Sequence, residues 1–315
     1  MLLVFGILIK LPVFREHPVP AETPGDGVLY RWLLDALSGK NPPPAFLFPA
    51  FSTGLLFIQA LLLNRLISRH RMMNRQTWLP GMSFLLITSL FPEWNFFSAP
   101  LIVNTFLLYI LSALFRIYNQ PSPGTTIFNT GLALGISVFI FFPSLFFGAW
   151  ILIALMVMRP FRMNEWLIGL LGIMTPFYFY GIWLFIKGAF TWQAFFPPLH
   201  LNMPDLEQSL WLAAGLFLLT IPFLIGSYYV QDSLRKMLIQ VRKGWSLVLF
   251  YLLVAVLVAF VNSTGNLSNW VLAAVPFAAF HACTYLYSGF RIIPVLFFWL
   301  SLAYILAYQY AGPGW

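Results

Sequence analysis

Charged residues are scarce in this chain of 315 residues, since Asp, Glu, Lys and Arg together make up only 8% of it. A soluble domain carries roughly 25%. Hydrophobic residues account for 60% of the chain and aromatic residues for 19%. The composition therefore excludes an ordinary soluble protein. The net charge of +8 requires no nucleic-acid partner, because basic loops at a membrane surface explain it.

Cysteine is almost absent as well. Cys283 is the only one, which excludes an internal disulfide and a metal site built from thiolates. The sequence also lacks a glycine-rich phosphate loop, a nucleophile elbow and a His-Glu-x-x-His motif. We therefore expect no bound metal or cofactor, and the sequence leaves open whether the protein is an enzyme.

Long apolar runs fill most of the chain. A helix rises about 1.5 Å per residue, so about 20 residues cross a hydrocarbon core of roughly 30 Å. The runs predict an all-α fold, a polytopic transmembrane helical bundle that forms a single integral membrane domain over residues 1–315. The eleven predicted spans are residues 1–14, 46–67, 78–92, 97–116, 126–141, 143–158, 164–187, 209–229, 246–262, 268–286 and 291–310.

Three stretches of the chain leave alternatives open. Residues 126–158 form one apolar stretch, which we divide at Pro143 because proline favours a break. Pro176 could kink its span or divide it into two half-crossings. The first run reaches only about 21 Å. We expect either that the true start lies upstream of Met1 or that Lys10 stretches toward an interface.

The loops between the spans alternate in charge. By the positive-inside rule, the basic loops are cytoplasmic, which places the N-terminus inside and the C-terminus outside a bacterial inner membrane. The basic loops contain Arg65, Arg69, Arg71, Arg75, Arg116, Arg159, Arg162, Arg235, Lys236, Arg242, Lys243 and Arg291. The opposite loops contain Glu16, Glu22, Asp26, Asp35, Glu93, Asp205 and Glu207.

Two amphipathic segments are predicted to lie along the membrane surfaces. Residues 27–38 form an outer interfacial helix, with Asp26 as its N-cap and with Arg31 and Asp35 paired at four-residue spacing. Residues 231–243 form an inner helix whose basic side chains attract anionic head groups.

The outer loops hold the concentrated chemistry. A carboxylate above an interfacial helix could act as a general base on a hydroxyl acceptor, or share a divalent cation with a lipid pyrophosphate. Asp26 and Glu22 are the candidate catalytic residues, with Glu16, Glu93, Asp205, Glu207 and His200 in loops that could fold over the same place. The alternative is that Asp26 caps a helix and that the other acids are solvated. The aromatic segment 188–208 could form the floor of a lipid groove, or it could be an interfacial belt.

Polar residues within the spans are few. Gln59, Asn104 and Asn129 could line a conduit, but hydrogen bonds between helices are the favoured role. His281 could be a proton relay or a ligand contact, and the favoured alternative is a neutral ring that bonds a neighbouring helix.

Several punctuating motifs resemble an uncharacterised family of polytopic inner-membrane proteins from Bacteroidota. They are Leu79-Pro80-Gly81, Ser89-Leu90-Phe91-Pro92, Asn104, Leu114-Phe115-Arg116, Ile127-Phe128-Asn129, Phe141-Phe142-Pro143, Met158-Arg159-Pro160-Phe161 and Glu165-Trp166. Members of that family often carry an automatic label of carotene-cleaving oxygenase. The sequence argues against this label, because its four dispersed histidines cannot meet at one iron. Within these motifs, Arg159 could bind a phosphate or a partner, whereas Asn164 and Glu165 at the start of the seventh span also suit simple helix capping.

The first outer loop is similar in architecture to that of glycosyltransferases of the C superfamily, which place an essential acid there and follow it with interfacial helices. The similarity implies a glycosyltransferase-like enzyme that acts on a polyprenyl-phosphate-linked sugar at the outer face. Asp26 or Glu22 would then be the base, and Arg31 or His200 would meet the phosphate. The alternatives are a non-enzymatic scaffold or assembly component of the cell envelope, which binds membrane-protein partners, and a transporter.

Overall fold

A computed structural model describes residues 2–16, 18–20, 22–39, 44–118, 120–202, 209–263, 267–290 and 292–311. Within these ranges the chain forms fourteen α-helices and no β-strand. The helices are Leu2–Lys10 (α1), Val13–Glu16 (α2), Val28–Ser38 (α3), Leu47–Arg69 (α4), Leu79–Thr88 (α5), Ala99–Ile117 (α6), Gly124–Ile140 (α7), Phe147–Met158 (α8), Met163–Ile186 (α9), Trp192–Phe195 (α10), Leu210–Ser233 (α11), Ile239–Ala259 (α12), Ala274–Tyr287 (α13) and Ile292–Ala311 (α14).

The helices are those of a membrane bundle. In the described part of the chain, seven are long and apolar enough to cross a bilayer. They are α4, α6, α9, α11, α12, α13 with the 3₁₀ turn before it, and α14. All-helical membrane architecture is therefore confirmed.

The other four predicted spans also contain helices, but shorter ones. α1 has nine residues and α5 has ten, so each rises only about 14–15 Å. The predicted span 78–92 is thus too long, because the chain leaves the helix at Ser89 and turns through a 3₁₀ segment, Pro92–Asn95. Eleven full crossings stay a prediction.

Proline has different effects at its two critical positions. The division of residues 126–158 at Pro143 is confirmed, since α7 ends at Ile140 and a 3₁₀ turn, Phe142–Phe146, leads into α8. Pro176, by contrast, lies within one continuous α9. The half-crossing alternative for that span is wrong.

The predicted inner helix 231–243 is also wrong. α11 continues to Ser233, a single 3₁₀ turn follows, and the backbone is extended at Met237 and Leu238 before α12 begins. The apolar spacing that suggested one helix is divided between two elements. Val241 is drawn into the bundle as part of α12, where it is buried. Burial of this half of the segment outweighs its amphipathic pattern.

The two ends of the bundle each collect one set of loops. At the end that we call the basic end, Gln240 Nε2 donates to Phe115 O over 3.3 Å, and Asn74 N donates to the hydroxyl of Tyr287 over 2.9 Å.

At the end that we call the acidic end, Tyr30 donates to Phe97 O over 3.1 Å, and Trp94 Nε1 donates to Leu267 O, in the segment after α12, over 2.9 Å. The loops thus meet in the two groups that the charge pattern predicts.

Polar side chains inside the bundle bond one another across helices. Gln59 Nε2 on α4 donates to Thr105 Oγ1 over 2.8 Å, and Asn104 Nδ2 on α6 donates to Gln59 Oε1 over 3.2 Å. Tyr251 on α12 donates to Asn104 Oδ1 over 2.9 Å. His281 Nε2 lies 2.7 Å from Leu219 O on α11. The interhelical role of Gln59, Asn104 and His281 is confirmed.

Lys10 does not reach an interface. Its side chain is only 1% exposed, and its ammonium donates to Thr88 Oγ1 over 2.9 Å and to Asn95 Oδ1. Asn95 in turn donates to Thr88 O over 2.8 Å. Lys10 therefore ties α1 to the end of α5 and to the turn after it, because an ammonium taken out of water needs acceptors. The expectation that Lys10 stretches outward is wrong.

α7 and α9 cross at a glycine-rich contact. Gly131 and Gly135 are four residues apart on one face of α7. A Cβ at Gly131 would overlap the carbonyl oxygen of Gly169, and a Cβ at Gly172 would overlap that of Phe128. The two backbones approach so closely only because the side chains are absent. This contact sets the spacing of the two helices that border the site described below.

Gly131→Ala should therefore destabilise the protein. Overpacking a tight contact costs about 1–3 kcal/mol, so we expect a lower apparent Tm for the detergent-solubilised variant. Gly54→Ala is the matched control: that position in α4 has open space around it, and alanine in a helix gains up to about 1 kcal/mol over glycine. Equal melting temperatures for the two variants would contradict the close crossing.

Candidate functional site at the acidic end

The segment Gly25–Gly27 lies against the break between α7 and α8. Gly27 N donates to Ile140 O over 2.8 Å, and Phe142 N donates to Gly25 O over 2.9 Å. A Cβ at Gly27 would overlap the carbonyl oxygen of Phe139. Glycine is thus required for the backbone to approach this closely.

The break needs such a partner. A helix that ends leaves its last carbonyls without intrahelical donors, and the turn that follows adds unpaired N–H groups. These groups cannot be left bare within a membrane bundle, where no water reaches them. The Gly25–Gly27 segment supplies one donor and one acceptor, and so holds the start of α3 to the end of α7.

Asp26 lies within this segment and is 5% exposed. Its Oδ2 accepts a hydrogen bond from Thr23 N over 2.6 Å, and its own N donates to Thr23 O over 3.0 Å. The N-cap of α3 is Gly27, and no side chain caps it. The prediction that Asp26 caps this helix is therefore wrong: its carboxylate turns back to close the preceding turn.

Burial decides the protonation of this carboxyl. The pKa of Asp26 is raised from its ordinary 3.8 to about 6, chiefly by burial and in smaller part by the charge of Glu22. The Thr23 hydrogen bonds and the charge of Arg31 oppose the rise without cancelling it. Burial likewise raises the pKa of the neighbouring Tyr30. Asp26 can therefore take up or release a proton near neutral pH.

Arg31 pairs with Glu22 and not with Asp35. Arg31 Nε lies 3.9 Å from Glu22 Oε2, and the two side chains are 50% and 57% exposed. Within the described residues, Arg31 has no other carboxylate within 4.0 Å. The predicted Arg31–Asp35 pair is wrong, because the loop brings Glu22 closer. Exposed pairs of this kind contribute about 0–1 kcal/mol, so both groups remain available to a ligand.

An apolar groove of about 480 Å³ lies beside α3. Its first lining residue, Val28, follows Asp26 and Gly27 in the chain. The groove lies between one face of α3 and the facing sides of α7 and α9. The opposite face of α3, which carries Tyr30 and Leu34, is buried in the bundle. The groove is lined by Val28, Leu29, Trp32, Ile136, Phe139, Pro176, Phe179, Tyr180 and Trp183.

The aromatic segment after α9 approaches this groove. The ring of Phe195 lies 5.6 Å from that of Tyr180, centroid to centroid, and its edge contacts the α9 backbone at Gly181. Tyr180 lines the groove. Phe195 thus lies beside a lining residue but does not itself line the groove, and both alternatives for segment 188–208 stay predictions. Asp205 and Glu207 lie outside the described residues, as does the side chain of Glu16.

His200 is held by its backbone. Its N donates to Asn262 Oδ1 over 2.8 Å and its O accepts from Asn262 N over 2.7 Å, while the imidazole is exposed. Among the described residues, no hydrogen bond or ion pair joins His200 to Asp26, Glu22 or Arg31. The structure therefore brings Glu22, Asp26 and Arg31 together, but it does not add His200 to them.

Arg159 lies at the opposite, basic end. Its guanidinium donates to Ile117 O over 3.0 Å and to Gln120 O over 2.6 Å, which satisfies carbonyls where α6 ends. Arg159 Nε lies 3.2 Å from Glu165 Oε2, and both side chains are about nine-tenths buried, with 11% and 10% exposed. These contacts place Arg159 away from Asp26. No side chain caps α9, whose N-cap is Arg162, so the structure does not support the capping alternative at the start of this helix.

Only the α3 side of the groove was predicted from the sequence. The lining residues of α7 and α9 were not. Two signals were available: the small residues Gly131 and Gly135 at the spacing of a close helix crossing, and the aromatic run Phe177–Tyr180 in the half of α9 that approaches the acidic end. Neither signal says which residues face each other.

Comparison of the chain with protein-family models, with curated proteins and with solved structures found no match. The resemblance to a Bacteroidota family and the similarity to C-superfamily glycosyltransferases stay predictions. In the described residues, no three His, Cys, Asp or Glu side chains are grouped so that they could hold a metal ion.

The pH dependence of stability should report the burial of Asp26. Between about pH 4 and pH 6 the folded protein holds a proton that the unfolded chain has lost, so this group makes stability fall as pH rises. Asp26→Asn keeps an acceptor for Thr23 N and removes the titration. We expect the apparent Tm of this variant to rise relative to the parent across this window and to stay higher at pH 7.5.

The matched control is Asp35→Asn, which removes an exposed carboxylate from the same helix. Its melting temperature should follow that of the parent at every pH. A difference between parent and Asp26→Asn that stays constant from pH 4 to pH 7 would contradict a buried, titrating Asp26.

Proposed function

We propose that this protein crosses the bacterial inner membrane eleven times, with its acidic end outside, and binds a lipid-linked sugar at that end. The observation that carries the proposal is the apolar groove beside a buried carboxyl group. The lipid tail would occupy the groove, and the head group would lie toward Glu22, Asp26 and Arg31. The reaction would be transfer of the sugar to a hydroxyl acceptor.

The groove is suited to a hydrocarbon chain. Its nine lining residues are aliphatic, aromatic or proline, and Trp32, Phe179 and Trp183 are well exposed. Aromatic rings at the edge of a bilayer commonly lie at head-group level, where they contact both chains and polar groups. A polyprenyl chain is a long, apolar, methyl-branched hydrocarbon that such a surface can accommodate.

The polar groups at the head of the groove have complementary roles. The acceptor hydroxyl would attack the anomeric carbon, forming the new glycosidic bond as the bond to the lipid phosphate breaks and the phosphate leaves. Asp26 would take the hydroxyl proton, for which a pKa of about 6 suits a base near neutral pH. Arg31 would exchange Glu22 for the departing phosphate. Asp26 would have to turn from Thr23 N to reach the acceptor.

The second candidate is a non-enzymatic scaffold of the cell envelope, and one observation favours it. Asp26 already accepts the Thr23 N–H, and the segment around it completes the backbone hydrogen bonding of the α7–α8 break. These contacts explain the burial of Asp26 without any substrate. The groove would then receive ordinary membrane lipid or a helix of a partner.

Crosslinking and catalysis together separate these functions. We would reconstitute the protein in nanodiscs with a polyprenyl-phosphate sugar that carries a photoreactive group in its tail. The parent should crosslink at α3 and α9, and Trp32→Gln should lose most of this labelling. Ala36→Gln, at an exposed α3 position that does not line the groove, is the control.

Asp26→Asn should keep the crosslink and lose release of polyprenyl phosphate by about 10²–10⁴-fold, the usual contribution of a general base. Labelling that ignores Trp32→Gln would contradict tail binding in the groove. Retained labelling with no sugar transfer by the parent, together with normal function of Asp26→Asn in cells, would favour the scaffold.

A further inference from the structure

A second groove lies at the basic end, along the exposed face of α4. It has a volume of about 660 Å³ and is lined by Leu61, Asn64, Arg65, Ser68, Arg69, Gln76 and Trp78. Leu61, Arg65 and Arg69 follow at four-residue spacing and are all exposed, so they form one stripe along the helix. The loop that connects α4 to α5 supplies Gln76 and Trp78.

The cations of this groove have no carboxylate partner among the described residues. In the described part of the chain, the ion pairs within 4.0 Å involve Arg31, Arg159 and Arg162. Arg65 and Arg69 are in none of them. The pKa of His70 at the end of α4 is lowered mainly by burial, and the charges of Arg69 and Arg116 lower it further. Two exposed guanidinium groups one helical turn apart attract phosphate.

Asn64 provides an independent indication of a ligand. Its side chain is only 8% exposed, it lines the groove, and its Oδ1 is buried without a hydrogen-bond partner. A buried amide oxygen without a donor is costly. Rotation of the amide about its last side-chain bond would turn this oxygen toward the groove, where a ligand hydroxyl bound beside Arg65 would satisfy it.

The order of the lining residues indicates a lipid and not a free anion. Leu61 lies one turn, about 6 Å, further into the span than Arg65, and Arg69 lies the same distance further out. The exposed indole of Trp78 borders the same groove. An apolar site followed by a cationic site, with an interfacial aromatic ring beside them, corresponds to the chain and the phosphate of a phospholipid.

We propose that this groove binds an anionic phospholipid whose head group carries a hydroxyl, with its phosphate at Arg65 and Arg69, its hydroxyl at Asn64 Oδ1 and a chain along Leu61. The site is separate from the acidic-end groove and does not depend on sugar transfer. It would hold α4 and the loop after it in place at the predicted cytoplasmic leaflet.

Lipid binding to the purified full chain in detergent tests the site. Native mass spectrometry would compare phosphatidylglycerol with phosphatidylcholine of the same chains. Each basic residue near an anionic lipid changes binding about fivefold, so Arg65→Gln/Arg69→Gln should bind phosphatidylglycerol about thirtyfold more weakly. Arg65→Lys/Arg69→Lys should keep most of the affinity. Arg235→Gln/Arg242→Gln removes the same charge outside the groove and should change binding less than threefold, roughly.

The hydroxyl contact has its own test. Asn64→Leu should weaken phosphatidylglycerol about fivefold, the worth of one net hydrogen bond, and should leave phosphatidylmethanol, which has the same charge and no hydroxyl, unchanged. Equal losses for both double Gln variants would overturn the site in favour of general charge attraction. Displacement of the lipid by millimolar inorganic phosphate would overturn the lipid in favour of a free anion.

Discussion

Backbone groups that lose their helical partners must be satisfied inside the bundle, and the arrangement of the acidic end depends on this constraint. α7 stops at Ile140, and the turn that follows leaves donors and acceptors that water cannot reach. The Gly25–Gly27 segment pairs with them through the backbone alone. This pairing buries Asp26, fixes where α3 starts, and leaves the apolar face of α3 opposite α7 and α9. The groove is therefore a consequence of how the helix break is closed.

The same requirement for hydrogen-bond partners explains the positions of other buried polar side chains. Lys10 binds the polar end of α5, Arg159 binds the carbonyls at the end of α6, and Gln59 bonds Asn104 and Thr105. Each of these side chains is hydrogen-bonded within the protein. Two sets of charged side chains stay exposed beside a groove: the Glu22–Arg31 pair at one end, and Arg65 and Arg69 at the other, which have no ion-pair partner in the described part of the chain. The two proposed lipid sites lie at these groups.

The sequence predicted the helices well because hydropathy and proline breaks are local properties. It located α3 within one residue and the division at Pro143. It failed where a distant segment decides. Asp26 precedes a helix and matches an N-cap pattern, yet its carboxylate closes the turn with Thr23. Residues 231–243 have a helical period, yet Val241 is drawn into the bundle. The candidate site was half predicted, because spacing along the chain cannot show that α9 faces α3.

Orientation in the membrane tests this account most directly, because both lipid sites are assigned to leaflets by it. The native Cys283 is buried, so single cysteines can be read against a silent background. Ser38→Cys at the acidic end and Arg75→Cys at the basic end both place a thiol at an exposed position. If the acidic end is outside, a membrane-impermeant maleimide should label position 38 in intact spheroplasts and position 75 only after lysis. The reverse pattern, or labelling of both positions in intact spheroplasts, would contradict it.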